Sequence, residues 1–373
     1  MAKKAENNRK SKKSKCKNKK CRQQFLYRSY CLYFCVPVAH SFNTEKEPDL
    51  SGPEELAADR ETKKKITKKE KKVLFNRKLL CIMKGKDFLE ERQGIRMKRI
   101  VTIQDISCVG KCSLTVALPV ISAMGVEAAI IPTAVLSTHT MFQNFTVRDL
   151  TDEIQPITEH WKKEGFAFDA IYTGYLGSFE QIDLMKAMFD AFKTEDNLLV
   201  VDPAMADNGK LYPAFDEAFA KHMGTLCAKA DIILPNITEA AFMTGMEYKA
   251  EYDEAYAKEM LKRLAALGAK VSLLTGVGFR EGMTGVMGYD SAKDEFCYYE
   301  HKKHPMSYHG TGDIYSSTCV GAMMNGFPWQ EAMRIAADYT AECIRITYEE
   351  KGGAWYGVHF EQAIPYLLKL LKK

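Results

Sequence analysis

The chain has no apolar run long enough to cross a bilayer. Its most apolar early stretch, Tyr30–Val38, is interrupted by Pro37, and a spanning helix needs about 20 residues. Regular cysteine spacing is also missing. Of 11 cysteines, Cys16, Cys21, Cys31, Cys35 and Cys81 precede residue 97; Cys108, Cys112, Cys227, Cys297, Cys319 and Cys343 are scattered through apolar or helical segments. That argues against a disulfide framework and for a reducing compartment. The spacing of the first four fits no familiar zinc finger. No Gly-x-x-x-x-Gly-Lys-Ser/Thr loop occurs, which excludes a Walker-type nucleotide fold, and Gly174-Tyr175-Leu176-Gly177 lacks the spacing of a dinucleotide fingerprint. Residues 97–373 contain neither an internal repeat nor a Pro/Ser linker.

What is present divides into two unlike parts. Residues 1–96 hold 27 Lys and Arg against 12 Asp and Glu, whereas residues 97–373 hold 26 against 36. The overall net charge of +5 therefore describes neither. Lysine-rich blocks at 1–22 and 62–72 predict a solvated, disordered head. A basic head before an apolar patch resembles a signal peptide, but no small-residue cleavage site follows. Polybasic runs also suit nucleic acid or anionic lipid. The reading preferred is that the head precedes the true start. Met97 leads directly into a clean strand, and Glu90-Glu91-Arg92 with Gly94 are residues that purine-rich codons encode, as in a ribosome-binding site.

From Met97 onward, short apolar runs alternate with amphipathic stretches. Strands are predicted at 100–103, 128–132, 170–173, 198–201, 232–234 and 271–275; being β-branched and free of internal charge, they suit burial on both faces. Helices are predicted at 114–124, 149–164, 180–193 and 252–267, with Pro119 expected to kink or shift the first. A hairpin around Asp290-Ser291 follows, then helices at 314–325, 328–348 and 360–371. The alternation predicts a mainly parallel sheet with helices on both sides.

In such sheets ligands bind beyond the carboxyl ends of the strands. There the sequence places Asp105, then Ser137-Thr138-His139-Thr140, then Gly174-Tyr175, then Asp202-Pro203 with Asp207, then Pro235-Asn236 with Glu239, then Thr275-Gly276. The set is completed by Gly310-Thr311-Gly312-Asp313, a glycine-flanked turn opening a helix. Glycines let the backbone bend and point N–H groups inward, and the helix terminus favours an anion. An aspartate there can take a proton from a hydroxyl while a phosphoryl group rests on the N–H groups. Plainer readings stand beside these. Asp313 also serves as a cap, Asp202 as a strand end, His139 as a structural hydrogen-bonder, Tyr175 as core and Glu239 as a first-turn acid.

These motifs carry a family resemblance. Ile103-Gln104, Ser137-Thr-His-Thr140, Thr173-Gly-Tyr-Leu-Gly177, Val201-Asp-Pro-Ala-Met205, Leu234-Pro-Asn-Ile-Thr-Glu239 and Gly310-Thr-Gly-Asp313 resemble the ribokinase-like superfamily of small-molecule kinases, and within it the pyridoxal (vitamin B6) kinases. The resemblance covers essentially all of 97–373 and implies a three-layer α/β/α fold. It implies ATP-dependent phosphorylation of the 5′-hydroxymethyl group of pyridoxal, pyridoxamine or pyridoxine. Asp313 is then the base, and Gly310, Thr311 and Gly312 the anion hole. Asn236 and Glu239 order Mg²⁺ near ATP, Asp202 and Asp207 hold metal or position the hydroxyl, Thr275 and Gly276 meet phosphate, and Thr140 and Tyr175 line the pyridine pocket beside His139. A cytoplasmic homodimer follows, with a monovalent cation as an open option and no membrane or nucleic-acid partner apart from the head.

One departure stands out. Many B6 kinases carry Ser after Ile-Gln and a glycine-rich loop ending in Gly-Asn; this chain has Asp105 and then Ser107-Cys-Val-Gly-Lys-Cys-Ser-Leu114. A carboxylate beside the vitamer favours a cationic amine or protonated ring nitrogen, so pyridoxamine is expected to serve at least as well as pyridoxal. The rival within the fold is a hydroxymethylpyrimidine kinase of thiamine synthesis. A sugar kinase is disfavoured because no sheet-like lid insertion follows the first strand. From another class, a non-catalytic B6-binding module would use the basic head on nucleic acid and show salt-dependent DNA retention. If the head precedes the true start, N-terminal sequencing and ribosome profiling of the native protein should find nothing from residues 1–96; peptides from that stretch would refute the reading.

Overall fold

A computed structural model describes residues 96–350 and 355–373, so the expectations for residues 1–95 lie outside the described residues. In chain order the elements are β1 (Arg99–Val109), α1 (Leu114–Ala123), β2 (Glu127–Thr138), β3 (Val147–Asp149), α2 (Thr151–Glu164), β4 (Ala170–Thr173), α3 (Phe179–Phe192), β5 (Leu198–Val201), β6 (Ala206–Asp207), β7 (Lys210–Leu211), α4 (Glu217–Cys227), β8 (Ile232–Ile233), α5 (Ile237–Thr244), α6 (Glu254–Leu267), β9 (Val271–Val277), β10 (Met283–Asp290), β11 (Glu295–Lys302), α7 (Thr311–Met324), α8 (Trp329–Glu349) and α9 (Phe360–Leu370).

Nine strands form one sheet in the order β11-β10-β9-β8-β5-β4-β1-β2-β3. The six from β2 to β9 in that order run parallel. β10, β11 and β3 add antiparallel edges, and β6 with β7 makes a separate small hairpin. The expected three-layer α/β/α architecture is the one found. The chain steps from β1 to β2 on one side and returns to β4 on the other, so strand order reverses beside β1. That is where an open parallel sheet leaves a crevice for ligands.

Alternation along the strands sends side chains to two cores. Val101, Ile103, Ile171 and Val201 pack under α2 to α6, with Ile182, Met185, Met188 and Phe189 of α3. Ile100, Tyr172, Val200 and Leu273 pack under α1, α7, α8 and α9, with Ile335, Ala336, Tyr339 and Cys343 of α8. Each such fully buried large side chain contributes roughly 1.5–3 kcal/mol. The apolar faces expected for α3, α6 and α8 are the buried ones.

Several boundaries differ from expectation. β1 and β2 extend well past their apolar runs, because pairing continues to Val109↔Thr138 after a register slip between Gln104 and Ile106. Pro119 neither ends nor delays α1, which starts at Leu114 and runs to Ala123; half-buried between Leu118 and Val120, it is held by the packing of Val116, Ala117, Val120 and Ile121 on the core. α2 begins at Thr151, since Val147–Asp149 pairs with β2 instead. α7 begins three residues early, at Thr311. α4, α5 and the β6–β7 hairpin had no sequence expectation. No helix among the described residues is long and apolar enough to cross a membrane, and the six described cysteines are free.

Candidate active site

The Gly-Thr-Gly-Asp turn folds as it does because of one glycine. Gly310 caps α7 in the left-handed region, at φ 80°. A Cβ there would collide with the Lys111 carbonyl oxygen. No other residue satisfies both conditions. The loop after β1 thus seats directly against the start of α7. Thr311, Gly312 and Asp313 form the first turn, whose N–H groups have no partner within the helix. The Thr311 hydroxyl donates to the Tyr308 carbonyl at 3.1 Å, and Gly312 is exposed.

Ser113 joins the two elements. It sits at φ 51°, ψ −136°, as N-cap of α1, a conformation that costs a non-glycine residue about 1–3 kcal/mol. Its hydroxyl donates to Asp105 Oδ1 at 2.6 Å, while its backbone N–H acts to lower the Asp313 carboxyl. Ser107 donates to the other Asp105 oxygen at 3.1 Å. Burial raises the Asp105 carboxyl, and the two serines oppose that rise. Burial likewise pushes Asp313 up to about 7, with the charges of Asp202 and Asp105 adding to the effect.

Asp202 ends β5, buried, with Oδ2 accepting the Ser316 hydroxyl at 2.6 Å and Oδ1 the Ala204 N–H at 3.2 Å. Ser316 stands one turn beyond Asp313 on α7; residues three apart on a helix share a face. Glu239 is buried in the first turn of α5. Its two oxygens accept the N–H groups of Met205 and Asn236, each at 2.9 Å. Asn236 completes a capping box by accepting the Glu239 N–H at 2.9 Å and anchors the strand-end loops by donating to the Ala206 carbonyl at 2.8 Å. Burial and the nearby Asp202 raise the Glu239 carboxyl, and burial raises Asp202.

Asp105 within β1, Asp202 just after β5, Glu239 in α5 and Asp313 in α7 are thus linked electrostatically, Asp105 and Asp202 to Asp313 and Asp202 to Glu239. None makes an ion pair with Lys, Arg or His among the described residues. Asp202 and Glu239 are hard oxygen donors with lone pairs left after their N–H and hydroxyl bonds. They suit Mg²⁺, which keeps much of its water and takes one or two carboxylates. No group of three or more His, Cys, Asp or Glu is arranged as a metal cage among the described residues, so such an ion would be held largely through water and nucleotide.

The other expected residues fall variously. Thr275 bridges to Asn236 across the sheet end, and its backbone N–H donates to the Pro235 carbonyl at 2.9 Å. Gly276 follows at φ 72°, exposed. Tyr175 is half-buried, with its ring 5.6 Å from Phe215. Burial, reinforced by the charge of Asp105, raises its hydroxyl. Asp207 lies exposed in the β6–β7 turn, where Asn208 occupies both its oxygens. It still acts, with Glu239, Asp202 and Asp313, to raise the buried Tyr212 hydroxyl. Thr140 is exposed in the turn after β2.

His139 is buried, its Nδ1 accepts the Met141 N–H at 3.2 Å, and its Nε2 faces the Tyr356 carbonyl at 2.9 Å. Both ring nitrogens thus have protein partners, as a structural hydrogen-bonder would. Its ring lies 4.3 Å from His309, whose own imidazole burial pushes down to about 4. Ser107 and Ser113 were noted in sequence only as polar residues following Asp105, without a role, and Cys112 and Ser316 were not among the candidates. Cys112 is buried where the charges of Asp313 and Asp105 push its thiol upward, after burial itself. Only the i, i+3 spacing of Asp313 and Ser316 offered a signal.

Comparison with known proteins gives consistent results. A family model described as phosphomethylpyrimidine kinase matches residues 116–358. A Bacteroides thetaiotaomicron protein provisionally named phosphomethylpyrimidine kinase is 36% identical, with 74% of this chain and 95% of that one covered, at a TM-score of 0.71. A second crystal form of that protein holds pyridoxal. Pyridoxal kinase from Lactobacillus plantarum is 31% identical, with 74% of this chain and 98% of that one covered, at a TM-score of 0.68. Pyridoxal kinase of Dictyostelium discoideum is 24% identical, covering 60% of this chain and 77% of that one.

Gly310→Ala should destabilise the fold by about 1–3 kcal/mol through its left-handed backbone alone, and further through the collision with Lys111. Thermal melting checks this; an unchanged melting temperature would show that the β1 loop can retreat from α7.

Proposed function

From the chain's membership of the phosphomethylpyrimidine kinase family, we propose that it acts as a pyridoxal kinase of the ribokinase-like fold. It transfers the γ-phosphoryl group of ATP to the 5′-hydroxymethyl oxygen of pyridoxal, pyridoxine or pyridoxamine. The single observation that carries this is Asp313 at the mouth of a glycine-built helix N-terminus, at the point where strand order reverses.

The chemistry follows from the residues. The acceptor lies between β1 and β4, against Asp105 and Tyr175. Asp313 takes the hydroxyl proton as the new O–P bond forms, and the bond to the departing ADP oxygen breaks. A carboxyl raised to about 7 is a stronger base than an ordinary aspartate yet half-ionised at neutral pH. The N–H groups at Gly310–Asp313 face the charge gathered on the phosphoryl oxygens. Thr275 and Gly276, beside Asn236, supply backbone contacts to the ATP phosphates. Mg²⁺, when bound, neutralises charge on those phosphates, and Asp202 and Glu239 would hold it. The proposal extends to a cytoplasmic homodimer whose catalytic unit is residues 97–373, with residues 1–96 as a basic extension outside it.

A second reading has its own support. The matching family model is described by phosphomethylpyrimidine kinase, so hydroxymethylpyrimidine is the alternative acceptor for the same machinery.

The test is ADP release by the purified full chain, and by residues 97–373, with each B6 vitamer and with hydroxymethylpyrimidine. Turnover of a vitamer is expected, and Asp313→Ala should lower it by about 10²–10⁴-fold. Turnover of the pyrimidine alone would move the enzyme to thiamine synthesis. Since the base must be ionised, kcat/KM should rise with pH through about 7 and lose that inflection in Asp313→Asn. Stability has the opposite sign. A carboxyl raised in the folded state favours folding at low pH, so the contribution of Asp313 is lost as pH rises through about 7.

A further inference from the structure

We propose that Asp105 determines substrate specificity: its buried carboxylate accepts a hydrogen bond from a protonated nitrogen of the substrate, so the acceptor alcohol is selected as a nitrogen cation. The inference rests on the kinase reading above and names what that site recognises.

Position comes first. Asp105 stands within β1, four residues before its end, where the register with β2 slips between Gln104 and Ile106. Such irregularities re-aim side chains beside functional sites. The strand order reverses at this point, with β4 and Tyr175 on the other side.

Charge comes second. Asp105 is 5% exposed. The groups around it are the Ser107 and Ser113 hydroxyls, the Cys112 thiol, the Tyr175 hydroxyl, His139 and Asp313. Two hydroxyls donate to it, and none of the described residues gives it a cationic ion-pair partner; His139 commits both ring nitrogens elsewhere. Ser113 donates to Asp105 at 2.6 Å and Ser107 at 3.1 Å. A buried carboxylate with only two of about four acceptor positions filled, and a second carboxylate nearby, is costly until a cation arrives. A substrate cation supplies the missing partner for Asp105.

Chemistry comes third. A serine hydroxyl both donates and accepts, and so tolerates a neutral ring nitrogen. An ionised carboxylate only accepts, and so demands an N–H. Two nitrogens of B6 vitamers qualify, the protonated ring nitrogen common to all three and the aminomethyl group of pyridoxamine.

The experiment compares the full-length wild type, Asp105→Asn and Asp105→Ser. Pyridoxine carries the ring nitrogen alone, and pyridoxamine carries both. KM and kcat are read from ADP release, Kd from calorimetric titration with vitamer alone, and folding from thermal melting. In Asp105→Asn, KM and Kd should rise about 10- to 100-fold, as loss of a hydrogen bond to a charged group implies, while kcat stays within about threefold. A rise for both vitamers assigns the ring nitrogen; a rise for pyridoxamine alone assigns the aminomethyl group. Asp105→Ser carries the same readouts where Asp105→Asn does not fold. A folded variant with unchanged KM and Kd for both vitamers overturns this inference and leaves the kinase reading intact. A wild type that turns over neither vitamer overturns both.

Discussion

Four acids without a basic partner among the described residues dominate this molecule, three buried and Asp313 half-buried. The charges of Asp202 and Asp105 add to the burial that raises Asp313, and that of Asp202 adds to the burial that raises Glu239. A protein built for stability alone would not assemble such a set, since buried charges are tolerated only when paired. Under the proposed function each acid meets a different visitor: a cation at Asp105, a hydroxyl proton at Asp313, and a divalent metal that Asp202 and Glu239 would hold. Substrate and metal would then offset the charge that these acids carry.

Holding these acids in place demands close backbone contact rather than strong side-chain bonds. Gly310 lets the start of α7 lie on Lys111. Gly110, at φ 152°, lets the same loop lie against the ring of His139, where a Cβ would come within 2.8 Å. The loops after β1, β2 and β11 are therefore fixed to one another by missing side chains. Ser113 is central to that contact, strained in its backbone, bonded to Asp105 and acting to lower the Asp313 carboxyl. The core below is rigid enough to sustain the strain, with central strands such as Ile171 and Val201 wholly buried between two helical layers.

Much of this was legible before any coordinates. The strands at 170–173 and 198–201 coincide with the observed ones, because runs buried on both faces leave an unbroken apolar signal. The buried face of α3 followed from helical spacing. The short α5 and the two-residue strands β6 and β7 were not legible, since their stability comes from the capping box at Asn236 and from contacts made across the sheet end. Pro119 did not move the start of α1 from Leu114, because tertiary packing outweighs a local helix preference.

The layered fold, the order of the strands' polar ends and a glycine-flanked turn opening a helix with an aspartate in it could all be read from the residues alone. These are local or periodic properties, set by backbone freedom and by which side chains avoid water. Which acids act together emerged only once the chain was folded. Asp202 meets Ser316, 114 residues away, and Asp105 shares the field of Asp313. Folding also decided that His139 spends both nitrogens on the protein. Hydrogen bonding and electrostatic coupling depend on distances of a few ångströms, and those are fixed only when the strands pair and the helices pack over them.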